Sequence, residues 1–139
     1  MEIKEFTPEF AAALSEIYLE SRRSAFIWLD ASAFQLADFA RDTDGERIWV
    51  CMRAGAVVGF ISIWEPERFI HHLYVAPVHV RNGAGSMLLA FAKSQYAELS
   101  LKCLIHNVNA VRFYESKGFL KSATGTGVYG SYYLMSFKS

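Results

Sequence analysis

Two glycines, Gly83 and Gly85, precede a segment of helical periodicity and follow an apolar stretch typical of a β-strand. Glycine weakens the start of a helix unless the backbone at that point serves another purpose. The first amide N–H groups of a helix have no partner inside it, and the helix dipole favours an anion there. Arg81 adds a cation next to the glycines. The stretch therefore predicts a diphosphate site built from backbone amides, with a glycine-rich loop that binds nothing as the alternative.

Two common phosphate motifs are not matched by this stretch. A dinucleotide fingerprint requires a third glycine, and the chain has Leu88 at that position. A nucleoside-triphosphate loop ends in Gly-Lys-Ser or Gly-Lys-Thr, which is absent from the sequence. A dinucleotide-dependent oxidoreductase is therefore disfavoured.

Adjacent histidines, His71 and His72, lie in the apolar segment 68–77, which is predicted to be a strand ended by Pro77. Unperturbed imidazole titrates near neutrality, which suits acid–base chemistry. Strict alternation along a strand places His71 on the face of Leu73 and His72 on the opposite face. We therefore expect that the two histidines do not share one small ligand, and we predict no metal site.

Two segments of the sequence together resemble the GNAT superfamily of acetyl-CoA-dependent N-acyltransferases. The segment "FIHHLYVAPVHVRNGAGSMLL" is similar to the acyl-CoA loop of that family, and "LKCLIHNVNAVRFYESKGF" is similar to its Asn-x-x-Ala-x-x-Phe-Tyr-x-x-x-Gly-Phe segment. The second pattern is matched at Asn107, Ala110, Phe113, Tyr114, Gly118 and Phe119. The resemblance is specific over about residues 56–120. One departure is Val80, which stands where the family usually has Gln or Arg.

The resemblance implies a fold and a cosubstrate. The fold class is α/β (α+β), with a mixed, mostly antiparallel sheet of about 6–7 strands, a V-shaped splay and about 4 helices in one N-acetyltransferase domain over residues 1–139. The splay would admit the pantetheine arm of acetyl-CoA, paired with strand backbone as an added strand would be. The residues implied to bind this cosubstrate are Leu73, Tyr74, Val75, Val80, Arg81, Asn82, Gly83, Ala84, Gly85, Ser86, Asn107, Ala110 and Phe113.

The implied reaction moves an acetyl group from acetyl-CoA to a primary amine of a small molecule or peptide, by direct attack without a covalent intermediate. The resemblance implies that Tyr114 is the acid that protonates the departing thiolate. His71 is the predicted base, since it stands at about the position where many relatives carry a glutamate. His72, Glu65, Glu67 or a water molecule remain alternatives.

The missing strand glutamate and Val80 leave a second function open, a non-catalytic acyl-CoA-binding module of the same fold. In this family the N-terminal helices cover the acceptor, so Arg22, Arg23, Phe26 and Trp28 are candidate acceptor contacts. Solvated arginines and core aromatics are the alternative for these four residues.

The elements that must position these residues follow from periodicity and turn signals. Thr7 is the predicted N-cap of a helix over 8–22, and a less certain helical region over 24–40 is broken near Asp30. The remaining predictions are a hairpin over 46–66, helices at 83–98 and 107–118, and strands at 2–6, 99–105, 119–123 and 130–137, the last two joined by a glycine-rich loop.

Composition limits the class of protein. The chain has 139 residues, enough for one domain, and a formal net charge of zero, so no nucleic-acid or membrane partner is expected. The two cysteines are predicted to be buried thiols, and the charged N-terminus predicts a cytoplasmic protein. We expect a monomer or a homodimer, in which the C-terminal strand either completes the sheet or pairs across a two-fold axis.

Overall fold

A mixed seven-stranded sheet organises the protein in a computed structural model, which describes residues 1–26 and 31–139. Every pair of neighbouring strands is antiparallel except β4 and β5, which are parallel. In sheet order the strands are β1 (Glu2–Glu5), β2 (Arg47–Arg53), β3 (Ala56–Trp64), β4 (Phe69–Val75), β5 (Glu98–Leu104), β7 (Gly130–Lys138) and β6 (Leu120–Gly127). The predicted fold class and the hairpin of β2 and β3 are confirmed.

Helices cover both faces of the sheet within the described residues. They are α1 (Ala11–Ala25), α2 (Asp38–Asp42), α3 (Ala84–Gln95) and α4 (Val108–Ser116), with 3₁₀ turns at Pro8–Phe10, Ala31–Ala33, Glu65–Glu67 and Pro77–His79. Alternate residues of β2 enter different cores: Trp49 belongs to the core that includes residues of α3 and α4, whereas Val50 belongs to the core that includes residues of α1 and α2. No helix in the described ranges combines the length and apolarity needed to cross a bilayer.

The N-terminal helical segments differ from the prediction. The helix expected from residue 8 begins with the 3₁₀ turn Pro8–Phe10, and the Thr7 hydroxyl donates to Glu9 at 3.1 Å instead of capping backbone amides. The described parts of 24–40 contain only the end of α1, the turn Ala31–Ala33 and the beginning of α2. The predicted break at Asp30 lies outside the described residues.

The C-terminal hairpin is more regular than the glycine-rich sequence indicates. β6 continues to Gly127 and pairs with β7 over the stretch predicted to be a loop. A Cβ on Gly125 would lie 2.5 Å from the Tyr132 hydroxyl, so glycine lets this ring pack across the strand. Since β7 lies between β5 and β6, it completes the sheet, and pairing of β7 across a two-fold axis is wrong. The free cysteines, Cys51 and Cys103, are buried as predicted.

The sheet opens between β4 and β5. The two strands share one registered pair, Phe69 with Ser100, supported by a 3.0 Å hydrogen bond from the Ser100 N–H to the Arg68 carbonyl. Beyond this point the strands diverge, which confirms the predicted V-shaped splay. Among the described residues, no strand pairs with the remainder of the backbone edge that β4 presents to β5.

Candidate active site

A cleft of about 710 Å³ occupies the gap between β4 and β5. Its walls come from β4, from β5 and α4, and from the end of α1. The predicted site residues that line it are Phe26, His71, Leu73, Tyr74, Val80, Asn107, Ala110 and Tyr114. His72, Lys102, Cys103, His106 and Asn109 also line it. The splay thus brings the predicted acid and the predicted base to one cavity.

The backbone of β4 offers hydrogen-bonding groups to this cleft. The Ala76 N–H donates to the Val58 carbonyl of β3 at 2.8 Å, so Tyr74, two residues earlier, also directs its backbone groups towards β3. Leu73 and Val75 then direct theirs towards the cleft. These two residues fit the pairing expected for a pantetheine arm. Tyr74 contributes its side chain instead, which corrects the expectation of a backbone contact.

The start of α3 has the geometry of an anion site. Gly83 is the N-cap, with a left-handed φ of 87° that favours glycine, and the first helical bond runs from the Met87 N–H to its carbonyl at 3.0 Å. The amides of residues 84–86 therefore have no carbonyl partner within the helix. Arg81, exposed and also left-handed at φ 68°, precedes the N-cap with Asn82. These features fit a diphosphate.

Gly85 connects this loop to both walls of the cleft. A Cβ at Gly85 would lie 3.7 Å from the Phe113 ring and 3.8 Å from Val75. Both distances are ordinary contacts, so glycine is not required there by packing alone. Phe113 is partly buried against the core of α3 and β5, and its ring meets Tyr114 edge-on at 5.3 Å.

Local hydrogen bonds close both ends of helix α4. The Asn107 Oδ1 accepts a 3.3 Å hydrogen bond from the Ala110 N–H, and the Phe119 N–H donates to the Tyr114 carbonyl at 3.0 Å after the left-handed Gly118. Asn107 is therefore the N-cap of α4, and Gly118 directly follows the C-cap, Lys117. The side-chain carbonyl of Asn107 is thereby occupied by the Ala110 N–H. The side-chain NH₂ group, which has no hydrogen-bond partner among the described residues, remains for contacts in the cleft.

Tyr114 lies among aromatic rings on the α4 side. Its ring packs edge-on against Phe119 at 5.8 Å, and no group within the described residues forms a hydrogen bond with its hydroxyl. Burial, with smaller effects of Cys103 and Tyr74, raises the pKa of this phenol above its ordinary value. Tyr114 is therefore protonated at neutral pH and keeps its hydroxyl as a donor.

A β-bulge in β4 changes the direction of the two histidines. Ser62 is paired with His72 and Ile63 with Ile70, so His71 is the extra residue of the bulge. Ile70 and Leu73 consequently share the face of α3 and α4. The rings of His71 and His72 lie 4.1 Å apart. The prediction from strict alternation, that the histidines cannot share one small ligand, is wrong.

Both histidines approach Glu46, which precedes β2 and was not predicted as a site residue. The His71 Nδ1 lies 2.5 Å from Glu46 Oε2, and the His72 Nδ1 lies 3.6 Å from Oε1. Burial by itself would raise the pKa of Glu46, but the surrounding groups of His71, His72 and Ser62 outweigh it and lower this pKa to about 2. Glu46 is ionised at neutral pH. No local sequence signal links it to residues 25 positions away.

His72 is held inside the fold. Its Nδ1 bonds Ser62 Oγ at 2.8 Å, its Nε2 lies 3.3 Å from the Tyr18 hydroxyl, and Tyr18 donates to Asp42 at 2.6 Å. Burial lowers the pKa of His72, although Glu46 opposes that shift. His72 is thus a neutral, hydrogen-bonded side chain, whereas His71 has a side chain that is 47% exposed.

The acidic alternatives for the base do not line the cleft. Glu65 accepts hydrogen bonds from Tyr96 at 2.6 Å and Arg47 at 3.3 Å. Glu65 and Glu67 belong to the turn between β3 and β4 and do not line the cleft. Neither acid therefore reaches the cleft directly, and a role for either as the base stays a prediction.

The predicted acceptor contacts on α1 have different surroundings. Arg22 is buried, bonds Asp38 at 3.1 Å and covers the Tyr18 ring at 3.8 Å, so its charge is compensated within the core. The prediction that Arg22 contacts the acceptor is therefore wrong. Arg23 is exposed, Phe26 stacks on Tyr129 at 4.6 Å beside the cleft, and Trp28 lies outside the described residues.

The fold and the splayed cleft define an acyltransferase architecture, and comparison with known proteins assigns the family. Residues 11–119 match the model of the Acetyltransferase (GNAT) family. The chain belongs to this family and is an acyltransferase.

Individual relatives agree with this assignment. The chain is 31% identical over 110 residues to the peptidyl-lysine N-acetyltransferase YiaC of Escherichia coli (strain K12), covering 77% of this chain and 75% of the relative. The ribosomal-protein-alanine N-acetyltransferase of Brucella melitensis superimposes with a TM-score of 0.76, 22% identity and 100% coverage of both chains. PaiA N-acetyltransferase of Thermoplasma acidophilum, solved with coenzyme A, has a TM-score of 0.79, 19% identity and coverage of 99% and 98%. The two structures share the fold.

Proposed function

We propose that this protein transfers the acetyl group of acetyl-CoA to the primary amine of a peptide, with the lysine side chain as acceptor. The observation that carries the proposal is the cleft between β4 and β5, where Tyr114 lines one wall and His71 the other. The peptidyl-lysine N-acetyltransferase of Escherichia coli, 31% identical, supports the acceptor class.

The donor would be held mainly by backbone groups. Leu73 and Val75 would pair with the pantetheine arm, and the amides of residues 84–86 would bind the diphosphate at the start of α3. Arg81 would add charge at the loop. The Ser21 hydroxyl already donates to the Val75 carbonyl at 3.3 Å, so Leu73 is the residue with both backbone groups available to the arm. Acetyl-CoA supplies the activated acyl group.

His71 is the proposed base. Because Glu46 is ionised, it accepts a hydrogen bond from His71 Nδ1–H, and the base form of this imidazole then has its free lone pair on Nε2. Nε2 takes a proton from the acceptor ammonium, and the carboxylate stabilises the imidazolium that results. Glu46 acts through His71 and is a positioning residue.

Tyr114 is the proposed acid. The amine nitrogen forms its bond to the acyl carbon as the bond from carbon to sulfur breaks, and the Tyr114 hydroxyl gives its proton to the departing thiolate. The raised pKa of Tyr114 keeps this proton in place until the thiolate forms. The acylated nitrogen then loses its extra proton to solvent, and the Tyr114 phenolate takes a proton back from solvent. No covalent enzyme intermediate is involved.

Three peptides of one sequence test the proposal. The first has a lysine and a blocked N-terminus, the second a free N-terminus and no lysine, and the third neither amine. We expect acetyl transfer, followed by mass spectrometry, to the lysine peptide alone. Transfer confined to the free N-terminus would show that the acceptor is an N-terminal amine and not the lysine side chain. Binding of acetyl-CoA by calorimetry without transfer to any amine would favour a non-catalytic acyl-CoA-binding module.

A further inference from the structure

The bulge in β4 gathers three side chains that could bind a metal ion. Glu46, His71 and His72 each offer one ligand atom, and these atoms all lie within 4.8 Å of one another. We propose that these three residues form a Zn²⁺ site and that its occupancy inhibits acetyl transfer. The inhibition rests on the function proposed above, whereas binding of the ion does not.

The donor set selects the class of metal. Two imidazoles and one carboxylate suit zinc and neighbouring transition metals, whereas magnesium and calcium prefer oxygen ligands alone. Two histidines and one glutamate are a known donor set of zinc sites that keep a fourth position open. Since His71 and His72 line the cleft, the fourth position would face it.

The distances need only a small adjustment. Ligands at about 2.1 Å from a tetrahedral zinc are about 3.4 Å apart. Glu46 Oε1 and His72 Nδ1 are 3.6 Å apart, close to this separation. Glu46 Oε2 and His71 Nδ1 are 2.5 Å apart because Nδ1–H donates a hydrogen bond to the carboxylate, and they would separate when the ion replaces this proton. The half-exposed His71 ring can make this movement.

An unpartnered buried oxygen supports the site independently. The Glu46 side chain is 5% exposed, and its buried Oε1 has no hydrogen-bond partner among the residues that the structure describes. A buried polar atom without a partner is costly and rare in folded proteins. A cation bound between Oε1 and His72 would satisfy it.

Outer groups would orient the buried ligand. With Nδ1 on the ion, the His72 Nε2 carries the proton and can donate to the Tyr18 hydroxyl, 3.3 Å away, whose own proton goes to Asp42. Such support is typical of metal-binding histidines. Binding of the ion would break the hydrogen bond between His72 Nδ1 and Ser62 Oγ, so the Ser62 hydroxyl would have to turn away.

Bound zinc would prevent His71 from acting as the base, because it fixes the position of the single proton on the imidazole. A neutral His71 that binds zinc through Nδ1 carries its single proton on Nε2. Nε2 then cannot accept a proton from the ammonium. The Glu46 carboxylate is also engaged, so the support for an imidazolium is lost.

Calorimetric titration of the whole protein with ZnCl₂, without acetyl-CoA, tests the site. We expect one bound ion, with affinity reduced at least about 10-fold in Glu46→Gln and in His72→Gln. His79→Gln, a histidine outside the cluster, is the matched control and should bind as the wild type does. Titration with Co²⁺ should give the absorption of a tetrahedral complex. If His72→Gln does not fold, as judged by circular dichroism, Glu46→Gln decides. No bound ion in the wild type, or equal affinity in Glu46→Gln, would overturn the site.

Inhibition is measured separately by mass spectrometry of the lysine peptide, because zinc binds the thiol that the reaction releases. Transfer should fall at least about 10-fold at zinc concentrations that saturate the calorimetric site, and a chelator should restore it. If zinc saturates the site without lowering the rate of transfer, the inhibitory role is wrong, whereas the zinc site itself still stands. If no peptide is acetylated in the absence of zinc, the proposed function and the inhibition fail together, and calorimetry still decides whether the ion binds.

Discussion

The two walls of the cleft are built on opposite physical principles. The α4 wall surrounds Tyr114 with aromatic rings and, in the described part of the chain, leaves its hydroxyl without a hydrogen bond. The β4 wall connects His71 and His72 to the carboxylate of Glu46. An acid must keep its proton until the leaving group needs it, which desolvation ensures. A base must stabilise the charge it acquires, which a neighbouring carboxylate ensures.

The walls also differ in how the chain assembles them. The α4 wall comes from one continuous segment, so its spacing is visible in the sequence. The β4 wall combines residues from α1, the segment before β2, β3 and β4, and depends on buried charges that must be compensated. Substitutions in the β4 wall and its α1 support should therefore affect stability, whereas those in the α4 wall should affect mainly rate.

The largest effect is expected where α1 supports the β4 wall. Arg22→Met removes the buried cation that pairs with Asp38 and leaves this carboxylate with only the Gln35 N–H and the exposed Arg41 as partners among the described residues. It should reduce the free energy of unfolding by about 3 kcal/mol in urea denaturation. Adding Asp38→Asn should recover part of this loss. The exposed neighbour provides the control, since Arg23→Met should change stability by about 0.5 kcal/mol or less. Equal effects of the two arginines would contradict the distinction.

Tyr114→Phe tests the α4 wall. It should lower kcat by about 100-fold or more while the affinity for acetyl-CoA is retained, because only the proton donor is lost. Steady-state kinetics with the lysine peptide and calorimetry with the donor measure the two quantities. Tyr133→Phe, a partly buried tyrosine of β7, is the control and should keep the wild-type rate. An unchanged kcat in Tyr114→Phe would remove this residue from the mechanism.

His71→Gln should lower kcat by about 10- to 100-fold, and Glu46→Gln by a smaller factor, since Glu46 acts through the imidazole. The pH profile separates the roles. The dependence of kcat on pH should change in Glu46→Gln, which loses the carboxylate that faces the base, and should change further in His71→Gln, which loses the base itself. His79→Gln should match the wild type. A profile unaltered by Glu46→Gln would assign Glu46 a structural role.

The last effect concerns acid stability. The pKa of Glu46 is lowered from its ordinary 4.5 to about 2, so its contribution is complete above pH 4.5 and is lost as the pH falls towards 2. Urea unfolding across this interval should show a shallower loss of stability in Glu46→Gln than in the wild type. Parallel curves would mean that the carboxylate is not stabilised in the fold.

Local patterns predicted the parts of the site that local interactions form. Gly83 is required by a left-handed N-cap, and Asn107 and Gly118 cap α4 through bonds to residues only a few positions away. The pattern missed Glu46, because its partners are distant in sequence. It also extended the loop before β7 over residues that pair in β6, since the packing of Tyr132 against Gly125 is a cross-strand contact.

The sequence by itself determined most of the helices and strands and the glycine loop, since these depend on contiguous segments and short-range backbone bonding. The resemblance of two of its segments to one family implied the splay of the sheet and the position of Tyr114. Only the tertiary structure decided which side chains meet at the β4 wall. One extra residue in β4 reverses the strand's alternation at His71, and a bulge arises from pairing with β3, a partner that no periodicity in β4 reveals. The burial of Arg22 has the same kind of cause. The pattern of an amphipathic helix is compatible with an exposed or a buried arginine at this position, and the contact with Asp38 makes Arg22 a buried cation.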